Sequence, residues 1–246
     1  MARTAYAVFA LIAYLIFFAT FLYLIAFVGN LPEVPRTVDR GPDSALVPAL
    51  VVNLALIALF GVQHSVMARQ GFKRAWTKVV PKPVERSVYV LFASLALIVL
   101  FSFWRPIPGT IWSIENGIGV ALLWGLFAIG WLIVLLSTFL ISHFELFGLK
   151  QAYLHMRGTK AADPQFRKPF FYKLVRHPLY SGFFLAFWAT PVMTVGHLVL
   201  ALGMSTYMLI AIGYEERDLV GLFGDDYETY RRDVGKLTPR FRKPVT

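Results

Sequence analysis

Five stretches of the chain contain no Asp, Glu, Lys or Arg: residues 5–28, 44–67, 87–104, 116–144 and 177–214. The second is most apolar over about 45–62. Each reaches the roughly 18 apolar residues expected of a membrane-spanning helix. The first is too long for the apolar core of a signal peptide, and no small-residue cleavage site follows it, so it is expected to be retained. The last, as one straight helix, would be about 57 Å long, nearly twice the ~30 Å hydrocarbon core. It must fold back, and the break lies at Pro191–Gly196 within ATPVMTVGH. Two helices are predicted there, about 178–190 and 197–216, the first too short to be a certain crossing. Beyond them Leu219, Phe223, Tyr227 and Tyr230 recur at helical spacing between charges, predicting an amphipathic helix over 215–232. Its role, surface anchor or lid over a site, stays open.

The predicted fold is all-α: a polytopic integral membrane helical bundle of four helices plus a C-terminal helical hairpin. That makes five to six membrane segments, followed by a cytoplasmic amphipathic tail helix.

Composition removes other classes. The 246 residues are 57% hydrophobic and 15% charged, with 22 Phe, 11 Tyr and 6 Trp, whereas a soluble domain is roughly 25% charged. A soluble enzyme, a disordered chain and a coiled coil are excluded. With no cysteine, so are a disulfide framework, a thiolate zinc site and a cysteine nucleophile. The net charge of +10 follows topology. Arg69, Lys73, Arg74, Lys78, Lys82 and Arg86 fill one loop, and Lys150, Arg157, Lys160, Arg167, Lys168, Lys173 and Arg176 fill another. Arg217, Arg231, Arg232, Lys236, Arg240, Arg242 and Lys243 lie in the tail, and Arg3 near the start. Arg36, Arg40 and Arg105 alone fall on the other side. By the positive-inside rule both termini and both basic loops are cytoplasmic, and the charge is not a nucleic-acid footprint. The five His, at 64, 143, 155, 177 and 197, lack ligand-like pairing such as i, i+4, so no metal site is expected.

Polar groups at the ends of membrane helices are candidates for chemistry because burying them is costly. Four helix ends carry them: Gln63 and His64; Ser142, His143 and Glu145; Arg176, His177 and Tyr180; Tyr214, Glu215, Glu216 and Arg217. They are expected to share one cytoplasm-facing mouth. Pro178 suits the first turn of a helix, which leaves the N–H groups of Leu179 and Tyr180 at its positive end, beside Arg176, as an anion site. Gly182 admits a ligand or a second helix. Glu215 and Glu216 can accept hydrogen bonds from hydroxyl or ammonium groups. A ligand with a carboxylate, an ammonium, a ribose and a base suits both ends. Chemistry alone does not separate S-adenosylmethionine from a nucleotide or a lipid headgroup.

VRHPLYSG, a hydrophobic hairpin, EE and FGDDYETYRRDV together resemble the C-terminal half of the membrane methyltransferases. That superfamily includes the isoprenylcysteine carboxyl methyltransferases and the phospholipid N-methyltransferases. VQHSVMARQGFK and PVERSVYVLFASL resemble its NnrU-like branch. With SHFELFGLKQAYLH they are similar to the bacterial methanethiol S-methyltransferases.

The resemblance implies one integral membrane methyltransferase domain over 1–246, with the cofactor held by about 142–239, in a bacterial inner membrane. It implies S-adenosylmethionine as cofactor, bound through Arg176, His177, Pro178, Tyr180, Gly182, Glu215 and Glu216, with His143 and Gln151 as further candidates. The expected reaction gives dimethyl sulfide and S-adenosylhomocysteine from methanethiol, a small volatile thiol that partitions into membrane lipid. Hydrogen sulfide is a second acceptor of the same chemistry. Gln63, His64 and Arg69 are the substrate candidates. His64, then His143, is the expected proton acceptor, and Tyr180, expected deeper in the membrane than Glu216, joins them as a catalytic candidate. Arg69 or Arg86 could instead stabilise the thiolate. The alternatives are a methyltransferase for a lipid or prenylcysteine acceptor and a non-enzymatic NnrU-like membrane protein. The loop with Arg36, Asp39, Arg40 and Asp43 receives no role, and the oligomeric state is left open.

Overall fold

The computed structural model describes residues 2–159 and 168–240. Lys160, Arg167, Arg242 and Lys243, counted above among the basic residues, lie outside them. In chain order the elements are α1 (Ala2–Val28), α2 (Leu46–Ala68), α3 (Gln70–Trp76), α4 (Lys82–Phe103) and β1 (Thr110–Ser113). Then come α5 (Gly117–Ile141), α6 (His143–Leu146), α7 (Leu149–Arg157), a 3₁₀ turn at Phe170–Lys173 and α8 (Pro178–Trp188). β2 (Val192–Thr194), α9 (Val195–Phe223) and α10 (Asp225–Asp233) complete the order.

Among the described residues five helices, α1, α2, α4, α5 and α9, are long and apolar enough to cross a membrane. Their outward faces are apolar too: Leu11, Ile12 and Leu15 on α1 are each about half exposed. Helices apolar all round belong in lipid, and the protein is an integral membrane protein. The 11 residues of α8 cover only about 16 Å, so α8 does not span.

The chain divides into two compact units. The first gathers α1–α4, β1, α6, α7, β2 and the opening of α9. Within it α1 packs on α4 and α7, and α2 on α4. β1 and β2 pair antiparallel, Trp112 opposite Met193 and Ser113 opposite Val192. Strands this short carry no readable alternation, and the sequence did not predict them. The loop around residue 38 folds into this unit. Thr37 and Val38 are fully buried, and the Val38 N–H donates to the Phe27 carbonyl at 3.1 Å. The Trp104 indole N–H donates to the Val38 carbonyl at 3.0 Å, and the Thr194 hydroxyl donates to Asp39 at 2.5 Å. Burying this loop removes backbone groups from water, and these bonds satisfy them.

The second unit gathers α5, the 3₁₀ turn, α8, the remainder of α9 and α10. α5 lies along α8 at a close crossing of two glycines. A Cβ on Gly182 would stand 2.6 Å from the Gly130 carbonyl oxygen, and one on Gly130 would stand 2.7 Å from the Ala186 nitrogen. Of the two uses expected for Gly182, the backbone of α5 takes the place. The tail differs from the expected single helix over 215–232. Glu215–Phe223 continues α9, the chain turns at Gly224 with φ +55°, and α10 starts afresh. The apolar spacing runs on through the break, but only glycine enters that backbone conformation without strain.

Candidate functional site

The residues singled out in the sequence fall into two sets, one in each unit. In the second unit the stretch Val175–Ser181 runs beside the chain that follows α10. Val175 bridges Gly235 in parallel. The N–H groups of Arg176 and His177 donate to the carbonyls of Gly235 at 2.8 Å and Lys236 at 3.1 Å. The Ser181 hydroxyl donates to the Leu237 carbonyl at 2.7 Å. This parallel contact fixes the entry into α8, where buried Pro178 occupies the first turn.

Arg176, His177 and Glu216 are all buried. The Arg176 Nε donates to Glu216 Oε1 at 2.9 Å, and its Nη2 lies 2.8 Å from the same oxygen. Its Nη1 donates to the carbonyl of Arg231 at 2.9 Å and also to that of Val234. His177 Nε2 sits 3.1 Å from Glu216 Oε1, and Arg231 Nε sits 3.5 Å from Glu216 Oε2. A buried guanidinium is tolerable only when charge and donors are both matched, and here both are. Arg176, expected to help form an anion site, is instead engaged with its own carboxylate and tail.

Glu215 is differently placed. Its side chain is 44% exposed and its Oε2 lies 3.9 Å from His177 Nδ1, which leaves carboxylate surface for an outside donor. The Tyr180 ring packs 5.8 Å from the His177 ring. A cleft of about 430 Å³ opens over Arg176 and Glu216, rimmed by Glu228, Arg231, Arg232, Lys236 and Arg240. Ligand clefts commonly hold roughly 300–1,000 Å³. Behind it Tyr227 and Tyr230 are buried, and the Tyr230 hydroxyl donates to the Tyr172 carbonyl at 2.5 Å. Burial raises the phenols of Tyr172 and Tyr227, the glutamates adding to it, and pushes that of Tyr230 up to about 12. All three stay protonated donors.

The first unit holds the other set around an aromatic cluster. Met67, Tyr89 and Val90 form its buried centre, with Phe17, Ala68, Phe72, Trp76 and Phe147 packed against it. His64 enters from α2, its ring 5.2 Å from that of Phe60 and 4.9 Å from that of Tyr89. His143 reaches the cluster through Phe147, at 4.8 Å between ring centroids. Its Nε2 shares a 2.8 Å hydrogen bond with the Tyr14 hydroxyl, and burial holds its imidazole below the ordinary range. Gln63 donates to the Met67 sulfur at 3.1 Å, and its Oε1 is buried with no hydrogen-bond partner. Arg69 Nε donates to the Ser65 carbonyl at 3.2 Å, closing the end of its own helix. Gln151 donates to the Glu145 carbonyl at 2.9 Å.

What makes the cluster is a turn that sequence reasoning did not single out. Gly148 has φ +88°, and a Cβ there would overlap Ser87 of α4. The turn thus lies flat on α4, brings Phe147 onto Phe17 at 4.0 Å between centroids, and presents the Leu146 carbonyl to Arg86 Nε at 2.6 Å. The glycine in ELFGLK was the available signal.

No protein-family model matches the chain, and no solved structure matches it. Curated relatives do. "Methanethiol S-methyltransferase 1" of Bradyrhizobium diazoefficiens is 54% identical over 92% of this chain and 79% of its own length. "Methanethiol S-methyltransferase" of Mycobacterium tuberculosis is 50% identical over 97% of this chain and 98% of its own. Nurim of Sus scrofa is 31% identical over 82% of each. Identity of about half over most of both chains means one fold and one line of descent. The chain belongs to the methanethiol S-methyltransferase family.

Proposed function

We propose that this methyltransferase moves the methyl group of S-adenosylmethionine to methanethiol, giving dimethyl sulfide and S-adenosylhomocysteine, at the inner membrane of a bacterium with both termini in the cytoplasm. Hydrogen sulfide is a second acceptor. The names of the relatives support the acceptor. The single structural observation that supports the donor is the cleft over the buried Arg176–Glu216 pair.

The residues fit that donor by chemistry. Arg231, Arg232, Lys236 and Arg240 on the rim suit a carboxylate, and half-exposed Glu215 suits an ammonium or ribose hydroxyls. Bound S-adenosylmethionine supplies an electrophilic methyl on a sulfonium cation. Arg176 and His177 hold Glu216, and through it the start of α8, in place. Gly182 serves by letting α5 brace α8. On the acceptor side, the cluster around Met67 and Tyr89 offers apolar and aromatic surface that suits a one-carbon thiol. His64 is the proton acceptor there and His143 the second candidate. A thiol must lose its proton before it attacks, and its free pKa lies above the ~8.5 of cysteine. A thiolate meeting a sulfonium cancels charge, which an apolar surrounding does not oppose.

Purified protein in detergent, incubated with methyl-labelled S-adenosylmethionine and a panel of thiols, is expected to release labelled dimethyl sulfide from methanethiol, read by gas chromatography. Transfer to a prenylcysteine or a lipid, and none to methanethiol, would replace this reading.

A further inference from the structure

Arg86 is the fifth residue of a helix apolar enough to cross a membrane, a setting in which an uncompensated cation is costly. Its Nε is held by the Leu146 carbonyl at 2.6 Å. Its guanidinium carbon lies 4.7 Å from the centre of the Tyr89 ring. Among the described residues no carboxylate pairs with it. A carbonyl and a ring face together satisfy part of a guanidinium, which carries five donors, and leave its charge unmatched.

Two further loose ends lie in the same cluster. Trp76 packs against Met67, Tyr89 and Val90, and its indole N–H is buried without an acceptor. Gln63 is bonded to Met67, and its carbonyl oxygen is buried without a donor. Buried polar atoms are nearly always paired. A cation without an anion, a donor without an acceptor and an acceptor without a donor border one aromatic cluster, and they suit a small ligand that offers an S–H donor in one form and an anionic acceptor in the other. Arg69, by contrast, is turned onto its own helix.

Resting on the methanethiol reading above, we infer that Arg86 binds the thiolate sulfur, with Trp76 Nε1 as a second donor and Gln63 Oε1 receiving the S–H of the neutral thiol. The S–H bond breaks with its electron pair left on sulfur, and the proton passes to His64 and from there to water. Among the described residues, His64 on α2, Tyr89 on α4, Tyr14 on α1 and His143 on α6 are titratable groups joined to the cluster by ring contacts or a hydrogen bond.

The test uses the full chain in detergent, with R86K, R86Q and W76F. An opposite charge commonly moves an acid's pKa by about 1–3 units. In R86Q, kcat/KM for methanethiol is expected to fall on the order of 100-fold, the size of a lost charge-assisted hydrogen bond. The acid limb of its pH profile should move up by about 1–2 units. R86K, which keeps the charge, should keep the limb near its wild-type position. KM for S-adenosylmethionine should stay within about twofold in each case. A binding readout runs without turnover: thiocyanate, a sulfur-bearing anion, should raise the melting temperature of the wild type and of W76F, and not that of R86Q. R86Q with an unmoved acid limb, or with rates lowered equally at every pH, would overturn the assignment. If R86Q does not fold, wild-type kinetics decide: thiocyanate competitive with methanethiol supports the assignment, and any other pattern rejects it. A wild type that fails to methylate methanethiol, while thiocyanate still protects it, sinks the methanethiol reading and leaves the anion site standing.

Discussion

Arg176 and Glu216, 40 residues apart in the chain, meet at 2.8 Å in a buried contact whose side chains are only 5% and 7% exposed. Removing one member leaves the other charged and unmatched. Glu216→Gln should cost about 3–5 kcal/mol of stability, read as a lower melting temperature in detergent. It should also weaken S-adenosylmethionine binding by calorimetry. Unchanged melting and unchanged affinity would show that this contact supports neither the fold nor the cofactor.

The α5–α8 crossing has no room for a methyl group. Gly182→Ala should destabilise the protein by about 1–3 kcal/mol, the usual cost of overpacking. Gly213 meets nothing within 4 Å of an added Cβ, so Gly213→Ala should leave melting unchanged or raise it slightly. A neutral Gly182→Ala would mean that the two helices separate freely.

Acid should weaken the protein through His143. Burial lowers its pKa in the folded state, so the unfolded chain takes up the proton first. The stability this gives is present above about pH 6.5, the unfolded value, and is lost as pH falls below it toward the folded value. Tyr230 works in the opposite direction. Its phenol is pushed up to about 12, so stability is lost as pH climbs from about 10, its free value, through 12. Melting temperatures between pH 5 and 8 are expected to fall toward the acid end, and less so in His143→Gln. Parallel curves for the two proteins would remove His143 as the cause.

Topology can be probed cleanly because the chain has no cysteine. In intact spheroplasts a membrane-impermeant maleimide should label Glu115→Cys and spare Lys78→Cys until the membrane is opened. The reverse pattern would invert the proposed orientation.

The membrane helices were legible because lipid imposes a length and an apolar run that few other structures need. The hairpin break at Pro191 was legible for the same reason, since a single helix over that stretch would have overrun the bilayer. Gly224 was not, because Leu219, Phe223, Tyr227 and Tyr230 keep helical spacing across it and spacing says nothing of φ. Motif recognition found Arg176, His177 and Glu216, yet gave no hint that Gly235 and Lys236 complete the group. Carbonyl partners carry no side-chain signature. The Met67–Tyr89 cluster was legible only in fragments, His64 from one helix and His143 from another. What joins them is Phe147, and its position depends on how one glycine lies against Ser87.

The parallel contact between Val175–Ser181 and Gly235–Leu237 bears on how the polypeptide matures. A nascent or proteolysed fragment ending at Phe223 would contain RHPLYSG and both glutamates, and a search by motif would score it as whole. It would still leave Arg176 reaching for carbonyls not yet made. Assembly of the Arg176–Glu216 group therefore waits on the residues that follow α10, and a nick in that stretch should silence an enzyme whose every signature residue remains in place.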